Sequence, residues 1–154
     1  MTESDPCLQL DGFLPYRAAR LASALSRGLA AEYEAKYRIS VAEWRVLVHL
    51  TQESEISVRD IKERVDMDRA RVTRAVQRLE SRGYVSKLVN EQDRRLVRLA
   101  LTGSGQKLAA ELSQLAVAFE RRVTAALPHG AADALLSAFE EIESRIAFRQ
   151  AAKD

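Results

Sequence analysis

The chain has 154 residues, 47% apolar and 30% charged, with only three prolines and six glycines, a composition that suits one helix-rich folding unit with extensions. Its single cysteine, Cys7, excludes an intramolecular disulfide and a cysteine-based zinc site. The longest run without a charged side chain, Val123 to Ala132, is too short to cross a membrane, and the acidic start MTESDPCLQLDG is unlike a secretion signal, so a cytoplasmic protein with no membrane partner is expected.

The net charge of +2 conceals a partition. Between Ser57 and Arg98 there are 12 Lys/Arg against 7 Asp/Glu, a balance of +5, whereas the remainder holds 12 against 15, a balance of −3. A basic middle between acidic flanks points to a polyanion-binding face on a body that needs none.

In chain order, residues 1 to 11 read as a loose arm. From about Gly12 to Tyr37, Leu14, Ala18, Leu21, Leu25, Leu29, Tyr33 and Tyr37 recur at helical spacing, predicting one amphipathic helix longer than a small core requires. Excess length of that kind implies a partner. Ser40 and Glu43 form a capping box that opens a core helix carrying Val41, Trp44, Leu47 and Val48 to about Thr51. A turn follows over Gln52 to Glu55, and Glu55-Ile56 adds a short strand. Ser57 caps a short helix whose inner side is Val58, Ile61 and Val65, and Asp66-Met67 makes the next turn.

Asp68 then caps a helix over 68–82 in which Val72, Ala75, Val76 and Leu79 fall at i, i+3, i+4 and i+7. Its other face carries Arg69, Arg71, Thr73, Arg74, Gln77 and Arg78. Gly83 ends it in a left-handed cap, against which Tyr84 packs. The period then changes to two: Tyr84 to Val89 and Leu96 to Leu101 read as strands joined by the polar tip Asn90 to Arg95. Thr102 caps a helix with Leu108, Leu112, Leu115, Phe119, Val123 and Ala126 in a near-heptad seam, broken at Pro128-His129-Gly130. A last helix bears Leu135, Phe139, Ile142 and Ile146. Two seam-bearing helices leave an apolar stripe without a partner inside one chain.

Two helices, a turn and a basic hairpin make a winged helix, so the expected fold is mainly α, a winged helix-turn-helix lobe with N- and C-terminal helices for dimerisation. The organisation predicted is an arm and dimerisation helix over 1–37, a DNA-binding lobe over 38–101 and a helical hairpin for dimerisation over 102–154. A helix fits the major groove, where Arg pairs with guanine, Gln with adenine and a Thr methyl with thymine. Ser57, Arg69, Arg71, Thr73, Arg74, Gln77 and Arg78 are therefore candidate DNA contacts. At the hairpin tip, Arg94 and Arg95 suit the minor groove, with Asp93 able to hold Arg95. With only His49 and His129, no HExxH and no glycine-rich phosphate loop, no catalytic constellation assembles, and neither enzyme activity, metal nor cofactor is expected.

The run VTRAVQRLESRGYVSKLVNEQDRRLVRLALTGSGQKL resembles the MarR family of bacterial transcription regulators, in its recognition helix, Arg-Gly junction, Asp-x-Arg wing (Asp93, Arg95) and Leu-Thr helix opening (Leu101, Thr102). EWRVL at 43–47 is similar to the family's second helix. Gly103-Ser104-Gly105 is richer in glycine than the family's usual turn, which is expected to loosen the helix start. The resemblance implies a homodimer with interlocked first and last helices, a pseudo-palindromic operator, and repression relieved by a small ligand or by oxidation. Leu14, Leu135, Phe139, Ile142 and Ile146 are the expected interface.

Family members bind aromatic acids in a crevice between the DNA-binding lobe and the dimerisation helices. The corresponding candidates are Phe13, Tyr16, Arg17, Arg20, Tyr37, Trp44 and His49, and FLPYR at 13–17 resembles members linked to aromatic-compound or aryl-thioester breakdown. The implied effector is an aromatic carboxylate or thioester. Redox sensing through Cys7 is an alternative, although Glu3, Asp5 and Asp11 around it raise a thiol's pKa rather than lower it. A ligand-independent architectural DNA binder is another.

Overall fold

The computed structural model describes residues 8–53, 55–65, 67–89 and 97–151. Its elements are α1 (Leu14–Tyr37), α2 (Val41–Gln52), β1 (Ile56–Ser57), α3 (Val58–Arg64), α4 (Arg69–Ser81), β2 (Val85–Val89), β3 (Val97–Leu101), α5 (Gly103–Thr124) and α6 (Ala131–Ala151). The fold is mostly helical with one small antiparallel sheet, ordered β1-β3-β2. β2 and β3 pair from Val85↔Leu101 to Val89↔Val97, and Ile56 lies opposite Leu99.

Two compact units divide between Ala116 and Val117. The first has one core, to which α1 gives Ala30 and Tyr33, α2 gives Val46, Leu47 and Leu50, α4 gives its whole apolar stripe, and α5 gives Leu108 and Leu112. The C-terminal half of α1 thus belongs to the packing of the winged lobe. Its N-terminal half exposes Leu14, Leu21 and Leu25. In the second unit, α6 exposes Leu135, Phe139, Ile142 and Ile146, together with Leu136, which the seam spacing did not single out.

Three local expectations are refined. Leu10–Gly12 forms a 3-10 turn rather than continuing a loose arm, and α1 begins at Leu14 rather than Gly12, because Phe13 has an extended backbone. Strand β2 starts at Val85, since the Tyr84 amide is used in closing α4. The glycines after Thr102 do not loosen α5. The Thr102 hydroxyl accepts from the Gly105 amide at 3.1 Å, and both Thr102 and Ser104 hydroxyls donate to the Gly83 carbonyl, at 2.6 and 2.8 Å. Gly105 is buried against the Tyr84 carbonyl, where any Cβ would clash with the oxygen and lie 2.9 Å from the carbon. A side chain is excluded there so that the helix start can seat on the junction between α4 and β2.

Candidate nucleic-acid interface

Helix α4 has the two faces its sequence predicts. The Asp68 carboxylate accepts from the Arg71 amide at 2.8 Å and satisfies one of the first-turn donors. Val72, Ala75, Val76 and Leu79 are at most 3% exposed, whereas Arg69, Arg71, Arg74, Gln77 and Arg78 are all exposed. Helical spacing sorts the outer residues into two rows. Arg69, Thr73 and Gln77 lie at i, i+4 and i+8, and Arg71, Arg74 and Arg78 at i, i+3 and i+7. The Thr73 hydroxyl donates to the Arg69 carbonyl at 2.8 Å, and Arg71 stands 3.8 Å from Asp68. The side chains of Arg69, Arg74, Gln77 and Arg78 have no hydrogen-bond or ion-pair partner among the described residues.

The C-terminus of α4 is held on three sides. The Gly83 amide donates to the Glu80 carbonyl and the Tyr84 amide to the Leu79 carbonyl, each at 2.9 Å, a Schellman closure that places Gly83 at φ +74°. Arg82 then reaches back to α1, donating from Nη1 to the Arg38 carbonyl and from Nη2 to the Tyr37 carbonyl, both at 2.9 Å. Arg38 has a left-handed backbone, φ 53° and ψ 40°, which turns those carbonyls toward the fork. The same guanidinium lies 3.8 Å from Glu43 and 5.1 Å from the centre of the Tyr84 ring. Glu43 is itself buried, accepting from the Ser40 amide at 2.8 Å and the Ser40 hydroxyl at 2.6 Å. Arg82 was legible in sequence only as part of an Arg-Gly junction, because the two carbonyls it binds lie 44 and 45 positions away.

Ser57 pairs with Arg98 across the sheet and caps α3, its hydroxyl oxygen accepting from the Asp60 amide at 3.0 Å. Among the described residues nothing accepts the hydroxyl proton. The hairpin is tied at its base by Lys87 to Glu80 at 2.5 Å and by Arg98 to Glu55 at 3.1 Å. The tip candidates Asp93, Arg94 and Arg95 lie outside the described residues, as does Cys7.

The ligand candidates do not converge within one chain. Phe13, Tyr16, Arg17 and Arg20 are exposed at the start of α1, where Arg20 sits 5.7 Å from the centre of the Tyr16 ring and Arg17 donates to the Asp11 carbonyl at 3.2 Å. Tyr37 is at the other end of that helix, about 30 Å away at 1.5 Å per residue. Its hydroxyl donates to Glu111 at 2.6 Å, with the Lys36 ammonium 4.7 Å from its ring centre. Trp44 is half-buried and stacks on Tyr33 with ring centres 5.6 Å apart. The Tyr33 hydroxyl is pushed up to about 12 by burial, then by Glu34. His49 is held below the usual imidazole range by burial and by Arg64 and Arg45, which favours its uncharged form.

A different concavity is present. A cleft of about 670 Å³ opens between the end of α1, the start of α2, the turn before α4 and α4 itself. Arg45, Arg71, Arg74 and Arg78 line it together with Val41, Ala42, Met67 and Ala75, and Glu34, Ser40 and Asp68 complete its wall. The second row of α4 therefore borders the cleft, and the first row does not.

A recognition-type helix with a free basic face, set on a three-stranded winged sheet, defines a winged helix-turn-helix protein. The MarR family model matches residues 39–97. The uncharacterised HTH-type transcriptional regulator YdgJ of Bacillus subtilis (strain 168) is 32% identical over 83 residues, 54% of this chain and 51% of YdgJ. The chain spans about half the length of the curated relatives it matches. Among solved structures, a MarR/EmrR family transcriptional regulator from Acinetobacter sp. ADP1 superposes with a TM-score of 0.80 at 25% identity, covering 91% of this chain and 99% of that one. The PcaV transcriptional regulator from Streptomyces coelicolor, solved in complex with its natural ligand, shares the fold at a TM-score of 0.73 and 22% identity, covering 91% and 98%. Residues 39–97 thus match the MarR family of transcription regulators, and the chain has the winged helix-turn-helix fold of that family's solved members. Members of that family are DNA-binding regulators rather than enzymes. No helix among the described residues is long and apolar enough to cross a membrane.

Proposed function

We propose that this chain acts as a homodimeric transcription repressor that reads a pseudo-palindromic operator, with α4 in the major groove and the Asp93–Arg95 tip in the minor groove. The observation that carries this reading is the outer face of α4, which offers four exposed guanidinium groups and an exposed amide opposite a fully buried stripe. Exposed arginines on a helix of this diameter suit guanine edges and phosphates, and Gln77 suits adenine. Ser57, which caps α3, suits a phosphate oxygen. The apolar residues that α1 and α6 expose, including Leu14, Leu135, Phe139, Ile142 and Ile146, supply the self-association surface, since exposed stripes of this kind are covered by a symmetric copy. In the same reading a small effector, of the aromatic carboxylate or thioester class, releases the DNA. The support for an effector is the ligand-bound state of PcaV, which shares the fold.

Fluorescence anisotropy with labelled duplex DNA tests the reading. Affinity should fall steeply between about 50 and 200 mM salt as phosphate counterions are released. Arg74→Ala should weaken binding by roughly 1–3 kcal/mol and relax the preference among sequences. A salt-independent signal, or an Arg74→Ala variant with wild-type affinity and preference, contradicts it.

A further inference from the structure

We propose that Arg98 is a further DNA-backbone contact, and that Glu55 holds it in reserve by competing with phosphate for the same guanidinium. The inference rests on the DNA-binding role given to the lobe above and adds a residue outside both α4 and the hairpin tip. Arg98 is the second residue of β3, three positions beyond Arg95. Side chains alternate between the two faces of a strand. Ile56 and Leu99 lie opposite one another and are buried, so the next opposed pair, Ser57 and Arg98, stands on the outer face of the sheet. Leu88, opposite Arg98 on β2, is exposed on that face as well. The guanidinium leans toward β1 rather than toward Leu88, because Nη1 donates to the Glu55 carboxylate, just before β1, at 3.1 Å. Opposed residues of an antiparallel pair have Cβ atoms about 5 Å apart, so one phosphate can take both the Ser57 hydroxyl and Arg98.

The alternative role for this ion pair is a structural tie, and its exposure argues against that. The Arg98 and Glu55 side chains are 63% and 42% exposed, and ion pairs in such surroundings contribute little to stability. Lys87 and Glu80 make the contrast: at 2.5 Å and 36% and 38% exposed, they fasten the sheet to α4. A phosphate offers the Arg98 guanidinium the same charge-assisted bonds as the carboxylate, so the exchange is close to balanced and wild-type protein gains little from it. Glu55 thereby holds down sequence-independent attraction to the backbone and leaves the base-reading face of α4 untouched. Specificity depends on the ratio of the two kinds of binding, and a weaker backbone term raises it.

Phosphate contacts carry no sequence information, so a labelled mixed-sequence duplex is a sufficient probe. It is titrated with the full-length protein and with Glu55→Gln, Arg98→Gln and the double variant over a range of salt, each having wild-type circular dichroism. Glu55→Gln should tighten binding roughly threefold or more and steepen the log–log salt dependence by about one unit for each protomer bound. Glu55→Ala, which removes the carboxylate without offering an amide, should reproduce that gain. Arg98→Gln should change wild-type affinity less than about twofold, and the double variant should behave as Arg98→Gln alone, because the gain passes through that guanidinium. The proposal is overturned if Glu55→Gln leaves affinity and salt slope unchanged, or if the gain survives in the double variant. It is also overturned if Arg98→Gln weakens the wild type as much as it weakens Glu55→Gln, since Arg98 is then not held in reserve. Folded wild-type protein that binds no duplex even at low salt overturns the DNA-binding reading itself, and this inference with it.

Discussion

Gly105→Ala is expected to destabilise the winged lobe by about 3 kcal/mol or more, the upper end of what inserting atoms into a packed site costs. The added methyl group meets the Tyr84 carbonyl, which is backbone and cannot rotate away as a side-chain tip would. Relief requires α5 to lift from the junction, and the bonds from Thr102 and Ser104 to the Gly83 carbonyl are lost with that movement. Gly83 is also the left-handed residue that closes α4, so the strain reaches the recognition helix and the first residue of the wing together. Urea unfolding measures the loss. Gly103→Ala provides the control, because a Cβ there meets nothing within 4 Å and replaces glycine by a better helix former, and a neutral or slightly stabilising result is expected. Equal effects from the two substitutions would show that the close approach at Tyr84 is unimportant.

Arg82→Ala is expected to cost about 2 kcal/mol, within the range for hydrogen bonds to a charged donor, because it strips one fork from two carbonyls at the end of α1. For a chain of this size that corresponds to a fall in Tm of about 5 °C. The loss extends beyond stability. Arg38 adopts a left-handed backbone that a non-glycine residue holds at a cost of roughly 1–2 kcal/mol, and the fork helps to hold it. Without the fork, the end of α1 and the end of α4 lose their direct tie, so DNA affinity should fall even at temperatures where the protein stays folded. Arg82→Lys should recover less than half of either loss, since a single ammonium cannot span both carbonyls in one plane. Full rescue by lysine would reduce the residue's role to its charge.

Both residues mark the limit of what could be read from the sequence. Local signals were legible: the Ser40–Glu43 capping box, the Asp68 cap, the α4 stripe and the Gly83 closure each depend on neighbours within a turn or two, and each is present. The change of period after Gly83 likewise anticipated the hairpin, which pairs in register from Val85↔Leu101. Arg82 depends on Arg38 adopting a rare backbone conformation 44 positions earlier, and nothing in the pattern around either residue announces it. Gly105 read as surplus glycine because its function is the absence of a side chain against one distant carbonyl. The cleft joins residues from Glu34 to Arg78, and only the packing of α2 on α4 makes them neighbours. The stacking of Trp44 of α2 on Tyr33 of α1 is likewise a product of helix packing and not of local sequence.

The central claim is that the outer face of α4 reads bases, and selection of duplexes from a random-sequence pool tests it most directly. Wild-type protein should enrich an inverted repeat with half-sites about one helical turn apart, roughly 34 Å centre to centre. The Gln77→Ala variant should enrich the same repeat with preference lost at one symmetric pair of positions, and Arg74→Ala should lose it at a neighbouring pair. Enrichment of no repeat by the wild type, or of an unaltered repeat by both variants, would contradict the account.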